Sequence, residues 1–163
     1  MKNLFILLCL VVSAGCTSSA QKVTLDNDSE IKLQRTACYG TCPTYTVTIK
    51  GSGELTLKGS RFVNRSEPIA LPDKTATLTK SQLNELTAEF EKIRFLSLTT
   101  SSIESGANCA TDHPHAIVSL TLKGKTTSVN HDQGCSGTQI LIDLGRLEDK
   151  IDELAGTKAW LAG

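Results

Sequence analysis

The chain has 163 residues, a length typical of one domain, and its 17 Lys and Arg residues balance 17 Asp and Glu residues. Because the net charge is zero and no basic run occurs, the sequence gives no electrostatic reason to expect nucleic acid as a partner. The 6 cysteines are more informative, since the use of cysteine depends on the redox compartment.

The N-terminus has the organisation of an export signal. Lys2 precedes the apolar residues 4–12, a stretch far shorter than the roughly 20 apolar residues that span a bilayer. Small residues then lead to Cys16, which resembles the lipobox of bacterial lipoproteins, although Ser13 stands where that pattern most often has Leu. This resemblance predicts a signal peptide over residues 1–15 and acylation of Cys16. The alternative is an ordinary secretory signal peptide whose cleavage leaves the chain without lipid.

A lipidated Cys16 predicts the address of the protein. Such a cysteine carries a diacylglyceryl group and often a further acyl chain such as palmitate. Each buried CH₂ contributes about 0.8 kcal/mol, so two or more chains give stable attachment, and we expect the membrane to be a partner through Cys16. Thr17 follows instead of Asp, which by resemblance to lipoproteins of enteric-type bacteria favours the outer membrane, facing the periplasm. Residues 16–29 are expected to form the lipidated cysteine and a flexible tether, and residues 30–163 a single domain.

Period-two alternation predicts strands in the first half of this domain. Apolar and polar side chains alternate over residues 31–34, 44–50 and 54–58, and Gly51-Ser52-Gly53 joins the last two runs as a hairpin turn. Residues 60–76 are expected to form a looser stretch. A helix follows, because residues 79–82 fit the capping-box pattern ahead of an apolar stripe of helical spacing.

The second half repeats this order of elements. A loop is expected over residues 101–114, then a hairpin turning at Lys123-Gly124, then a second helix that starts at a capping-box pattern beginning with Ser136 and stops at Gly156. The predicted fold class is therefore α+β. It has an antiparallel sheet built from a first strand and two hairpins, with two amphipathic helices packed on one face, in the order β-hairpin-helix-hairpin-helix.

Four cysteines remain after Cys9 is lost with the signal peptide and Cys16 is acylated. An even number in an oxidising compartment predicts two disulfides. If Lys123-Gly124 is a two-residue turn, Cys109 and Cys135 lie nearly opposite each other where the hairpin strands open. Of the three possible connectivities, this geometry favours Cys109–Cys135 together with Cys38–Cys42.

Two chemical alternatives use the same residues. His113, His115 and His131 lie near Cys109 and Cys135 in sequence, with Asp112 beside them, and such a density of Cys and His could bind zinc if the thiols were free. Thiol-redox chemistry at Cys38 and Cys42 is the other, although their spacing lacks the C-x-x-C arrangement that activates a thiol.

No catalytic constellation is apparent in the sequence. No G-x-S-x-G motif occurs, and the adjacency of Asp112 and His113 says nothing about a triad. Paired carboxylates such as Glu148 and Asp149 fall on predicted helices, where solvated helix surface is the simpler interpretation. We therefore expect no enzymatic activity, no cofactor and no bound metal.

The segment Cys38-Tyr39-Gly40-Thr41-Cys42-Pro43-Thr44-Tyr45 carries a further resemblance. With the strand and glycine turn after it, it resembles a family of bacterial lipoproteins and secreted proteins whose motif is Cys-(Phe/Tyr)-Gly-x-Cys-Pro-x-Tyr, a domain of unknown function. The resemblance extends over about residues 30–155 and implies a small α+β domain without an assigned reaction. The motif residues also have a structural explanation. Pro43 restricts the chain as it enters the strand. Tyr45 places a large ring on the buried face, with a hydroxyl that needs a partner.

The resulting hypothesis is a membrane-anchored periplasmic lipoprotein that acts as a non-enzymatic binding or structural module. A metal-binding or thiol-redox protein that uses the Cys- and His-containing loops is the alternative. Rigid, disulfide-held loops are where binding residues concentrate, so the expected binding surface comprises Tyr39, Thr41, Asp112, His113 and His115. The expected partner, besides the membrane, is a periplasmic or envelope protein. The competing interpretation is that both loops are only structural corners.

Overall fold

A computed structural model describes residues 21–64 and 67–162 of the chain. The predicted signal peptide and Cys16 lie outside the described residues. Within the described residues, no helix is both long enough and apolar enough to cross a bilayer.

The domain is built on one mixed-length antiparallel sheet whose strands follow the predicted alternation. Its first strands are β1 (Glu30–Arg35), β2 (Thr44–Lys50), β3 (Glu54–Asn64), β4 (Glu67–Ala70) and β5 (Lys74–Thr77). After two intervening helices come β6 (Asn108–Cys109), β7 (His115–Leu122), β8 (Lys125–Asp132) and β9 (Cys135–Ser136). The strand order is β4-β3-β2-β1-β7-β8, β5 pairs with β3, and β6 and β9 form a separate two-stranded sheet.

The helices are α1 (Lys80–Lys92), α2 (Thr100–Glu104), α3 (Gln139–Ala155) and α4 (Thr157–Ala162), with a 3₁₀ turn at Phe95–Ser97. The predicted capping box at the start of α1 is present, with the Thr79 and Gln82 side chains each bonded to the other's backbone. At α3 the predicted capping box is wrong. Ser136 lies in β9, and Thr138 is the N-cap residue without a side-chain cap bond. Gly156 ends α3 at φ 64°, a left-handed conformation that suits glycine.

The core lies between one face of the sheet and the two long helices. Apolar residues of β1, β2, β3, β7 and β8 face inward at every second position and meet the stripes of α1 and α3. The other face of the sheet carries polar side chains, among them hydroxyl pairs such as Thr44–Ser60 and Ser119–Ser128. The predicted fold class, an α+β domain with an antiparallel sheet and helices on one face, is therefore confirmed.

Two segments expected to lack regular structure are more ordered than the sequence suggested. The stretch over residues 60–76 continues β3, turns back as β4 and adds β5. Pro68 fits there because β4 lies at an edge of the sheet, where a missing N–H breaks no inner ladder. The expected loop over residues 101–114 contains most of α2 and the short β6, which pairs with β9 through the Cys109–Cys135 register.

The predicted tether is packed over its described part. Val23 is buried, its N–H donates to Glu91 Oε1 over 2.7 Å, and Ser29 is buried as well. Residues 21–29 therefore lie against the domain and are not a free linker. Val23 and Leu25, two apolar residues in a polar stretch, are the only weak sign of this packing within residues 21–29 of the sequence.

Candidate functional site

Two disulfide-held loops meet at one end of the sheet. The first loop is closed by Cys38–Cys42 and joins β1 to β2, and the second follows Cys109, which is bonded to Cys135. Both predicted pairings are present, and the β7–β8 register, with Leu122 opposite Lys125, is the one that the two-residue turn requires. The Thr36 and His115 backbones join the loops, since the Thr36 N–H donates to the His115 carbonyl oxygen over 3.0 Å.

A concave site of about 280 Å³ lies between these loops, and we call it the stapled cleft. Its walls combine two proline rings, a disulfide sulfur and an aromatic ring with a guanidinium, an amide and an imidazole. The residues that line it are Arg35, Thr36, Cys42, Pro43, Tyr45, His113, Pro114 and Gln133. The volume is at the small end of ligand sites and fits one side chain or a small molecule.

The register of four strands builds the floor of the cleft. Tyr45, Arg35, Ala116 and His131 are direct neighbours across β2, β1, β7 and β8. They occupy the inward-facing positions that hold apolar residues elsewhere in the same strands. The three polar side chains of this row, Arg35, Tyr45 and His131, therefore lie at the edge of the apolar core, where α3 crosses above them.

Helix α3 places two carboxylates over this row. Glu148 and Asp152 are four residues apart and so lie on one face of the helix. Arg35 Nη1 donates to Glu148 Oε2 and Arg35 Nη2 donates to Asp152 Oδ2, each over 2.9 Å. The Tyr45 hydroxyl donates to Asp152 Oδ1 over 2.9 Å, which gives it the partner that a buried tyrosine needs.

His131 and Gln133 complete the group, which we call the buried cluster (Arg35, Tyr45, His131, Gln133, Glu148 and Asp152). His131 Nδ1 lies 2.7 Å from Glu148 Oε1 and 3.0 Å from Gln133 Nε2, which also donates to Glu148 Oε2 over 3.0 Å. An ionised carboxylate can only accept, so Nδ1 carries the proton and cannot also accept from the amide. Gln133 is therefore held by Glu148 and only lies beside the imidazole.

Burial and charge together shift the pKa values of Arg35 and Tyr45. Burial alone would lower the pKa of the Arg35 guanidinium, but the carboxylates of Glu148 and Asp152 outweigh it and raise that pKa. Burial, helped by the negative charge of Asp152, raises the pKa of Tyr45 to about 12. Arg35 is thus held as a cation and Tyr45 as a neutral donor at physiological pH.

Of the five residues predicted as the binding surface, only His113 lines the cleft. Tyr39 is 81% exposed, and Thr41 and Asp112 are exposed on the two loops beside it. His115 points to the opposite face of the sheet, where its Nδ1 lies 2.9 Å from Asn130 Oδ1. The structure brings the two loops together as expected, but it directs these side chains to different surfaces.

The histidines do not converge on one point. His131 faces inward beneath α3, whereas His115 faces outward, and the four cysteines close to them are disulfide-bonded. Across residues 21–64 and 67–162, no three His, Cys, Asp or Glu side chains are grouped as they would be to hold a metal ion.

The interpretation of Glu148 as solvated helix surface is wrong, since this residue is 1% exposed. Asp149 beside it is exposed, as expected. The available signal was the position of Glu148 and Asp152 next to the apolar stripe of α3. Arg35 and His131 carried a second signal, because each continues the inward alternation of its strand with a polar side chain.

The cleft combines polar donors with apolar walls. Arg35 has five N–H donors, and the two ion pairs use one from each terminal nitrogen. Its remaining donors, together with the amide of Gln133, can orient a polar group while the prolines and the disulfide contact an apolar one.

No curated protein matches the chain. The sequence pattern of one family matches residues 29–155, from the residue before β1 to the last residue of α3, and so includes the cleft and the buried cluster. The chain therefore belongs to the family described as domain of unknown function DUF6438.

Proposed function

We propose that this chain is a membrane-anchored lipoprotein of the bacterial cell envelope that acts as a non-enzymatic binding module, with the stapled cleft as its binding site. The anchor is acylated Cys16, and the outer membrane, facing the periplasm, is the expected address. The single observation that carries the binding proposal is the preorganised cleft, whose walls are held by two disulfides and whose floor is held by buried ion pairs. A site that is already ordered loses little conformational entropy on binding.

Site-specific photocrosslinking in the native bacterium tests the proposal. A photoreactive amino acid replaces Pro114 at the cleft or, as a matched control, Ile142, which is 51% exposed on α3. We expect a defined adduct from position 114 and none from position 142. Adducts of equal yield from both positions, or from position 142 alone, would contradict a binding site at the cleft.

The variant His113→Ala separates binding from folding. The side chain is exposed, so its removal is expected to change the free energy of unfolding by no more than about 0.5 kcal/mol. We expect capture of the crosslinked partner to fall in this variant while the melting temperature stays unchanged. Equal losses of capture and melting temperature would indicate that the loop is only a structural corner.

One observation favours a second candidate function, thiol–disulfide exchange. Cys42 lines the cleft, so a substrate dithiol bound there could reduce Cys38–Cys42 and leave as a disulfide, with two electrons transferred to the protein. The reduction potential decides, because structural disulfides resist glutathione and have potentials below about −300 mV. Equilibration with glutathione followed by mass spectrometry measures it. A value above about −220 mV would favour the redox candidate.

A further inference from the structure

The chain between the acylation site and the packed part of the domain is short. Residues 21–29 form a strap along the domain, and only residues 17–20 separate it from Cys16. Five residue steps span at most about 18 Å when fully extended. Gln21 must therefore stay within that distance of an acylated Cys16, wherever the rest of the domain lies.

The strap is docked by contacts along its length. Val23 is buried and bonded to Glu91, and Gln21 Oε1 accepts from the Ser97 hydroxyl over 3.5 Å. At the other end, the Gly51 N–H donates to the Ser29 carbonyl oxygen over 2.8 Å. A Cβ at Gly51 would overlap the carbonyl oxygen of Asp26, so the turn between β2 and β3 accepts the strap only because this residue is glycine.

The strap and the stapled cleft lie at opposite ends of β1. Ser29, the last residue of the strap, precedes the first residue of β1, and Arg35, the last residue of β1, lines the cleft. Five residue steps at about 3.3 Å separate the two ends of β1 by roughly 17 Å. A groove of about 660 Å³ runs between the strap and α1, lined by Val23, Leu25 and residues of α1 that include Thr87.

We infer that the strap side of the domain rests on the lipid surface and that the stapled cleft opens away from the bilayer. The inference rests on the lipid anchor of the proposed function, and it adds an orientation and a lipid-facing surface. The occupant of the strap side is the membrane to which Cys16 is attached, because the chain between them is too short to reach around the domain. The strap carries Lys22 but also Asp26 and Asp28, so the contact depends on the length of the tether and not on anionic lipid.

Paramagnetic broadening in the lipidated protein tests this orientation. The full mature chain is placed in lipid nanodiscs that contain a gadolinium-chelating headgroup, once with zwitterionic lipid and once with an added anionic lipid. We expect the amide signals of Gln21, Lys22 and Ser97 to lose intensity at least threefold more than those of Tyr39 and Thr41 in both lipid compositions. Equal broadening at the two ends, or stronger broadening at Tyr39 and Thr41, would overturn the orientation.

A linker and a pair of matched variants test whether the docked strap causes the difference in broadening between the two ends of the domain. Twenty Gly and Ser residues inserted between Ala20 and Gln21 are expected to abolish the difference between the two ends, because the linker gives the domain free rotation. Val23→Asp releases the strap and is expected to weaken the difference, whereas Thr24→Asp adds the same charge at an exposed neighbour and leaves it unchanged. A difference that survives the linker would overturn the inference.

The outcomes also separate the inference from the proposed function. Absence of lipid on Cys16, measured by the mass of the mature chain, would overturn both, since no anchor would then hold the strap side. Absence of crosslinking at position 114 with the broadening pattern intact would contradict the binding site without affecting the orientation.

Discussion

Replacement of Arg35 by Met is the sharpest test of the buried cluster. The substitution keeps an unbranched side chain but removes the cation that faces both carboxylates of α3, each at 2.9 Å. The Glu148 side chain is only 1% exposed and would lose its guanidinium partner, whereas the Asp152 side chain is 16% exposed and can gain water. Removing one member of a buried ion pair costs about 3–5 kcal/mol. Because water can reach Asp152, we expect Arg35→Met to lower the free energy of unfolding by about 3 kcal/mol.

Urea unfolding of a soluble form starting at Thr17, with both disulfides oxidised, measures this loss. The chain has one tryptophan, Trp160, whose ring lies 6.3 Å from that of Tyr45, so its fluorescence reports on the cluster region. With a slope of about 2 kcal/mol per molar urea, the midpoint should fall by roughly 1.5 M. Lys32→Met is the matched control on the outer face of the same strand. Its exposed pair with Glu30 contributes at most about 1 kcal/mol.

A double-mutant cycle decides whether the loss comes from an uncompensated charge. Arg35→Met combined with Glu148→Met removes both members of the more deeply buried of the two Arg35 pairs. The double variant should be more stable than Arg35→Met alone by at least about 1 kcal/mol, because no isolated carboxylate is left at that point. An Arg35→Met loss below about 1 kcal/mol, or a double variant no more stable than the single one, would refute the reasoning.

Three further predictions concern other groups. In a Tyr39→Phe background, where Tyr45 is the remaining tyrosine, absorbance at 295 nm should titrate near pH 12. The folded pKa of Tyr45 lies above the ordinary value near 10, so its contribution of about 3 kcal/mol to the free energy of unfolding should be intact below pH 10 and be lost as the pH rises through 12. An absorbance midpoint near pH 10 would contradict this. Replacing both Cys109 and Cys135 by Ala should cost about 3.5 kcal/mol in urea unfolding, since the bond closes a 26-residue separation, and a cost below about 1 kcal/mol would argue against that constraint. Cys16→Ser should block lipidation, so a variant that stays in the membrane fraction as a normally processed species would refute the anchor.

The parts of the fold that the sequence predicted are those set by local periodicity and turn chemistry. The alternation of β1 to β3 and the turn at Lys123-Gly124 determined the faces and the register of the sheet. The disulfide pairing followed from that register. The capping box at Thr79 likewise is a local pattern, and the structure contains it.

The parts that escaped prediction depend on contacts between distant segments. The edge strand β4 is exposed, residues 59–62 in the extension of β3 are half-buried, and both segments are mixed in composition, so no period marks them. Val23 is buried only because α1 provides Glu91 and the groove beside it, 68 residues further along the chain. The stapled cleft lies between the two disulfide-held loops on which a binding surface was expected, yet only His113 of the expected residues lines it, since loop sequence does not determine where a side chain points.

The buried cluster shows why composition alone misdirects a functional interpretation. The cluster joins residues that are distant in sequence, since Arg35 and Glu148 are 113 residues apart. Arg35, Glu148 and His131 each resemble a surface residue when taken alone. Only the strand register brings Arg35 and His131 into one row, and only the phase of α3 places Glu148 above that row. A charged residue at the border of an apolar stripe is therefore worth testing against the polar exceptions in the facing strands.

The cluster is better explained by the cleft than by stability. Replacement of a buried ion pair by apolar residues of similar volume is often neutral or stabilising, so burial of Arg35 with Glu148 gives the fold no stability that apolar residues could not supply. Apolar residues could not supply directional hydrogen bonds. The bonds from Arg35 and Tyr45 to Asp152 fix α3 over one end of the sheet and hold both side chains at the cleft floor. A domain that needed only a packed core would gain nothing from this arrangement. The proposed binding at the cleft requires these side chains to be held in place, and a cluster repacked with apolar residues is expected to keep its stability while losing recognition at the cleft.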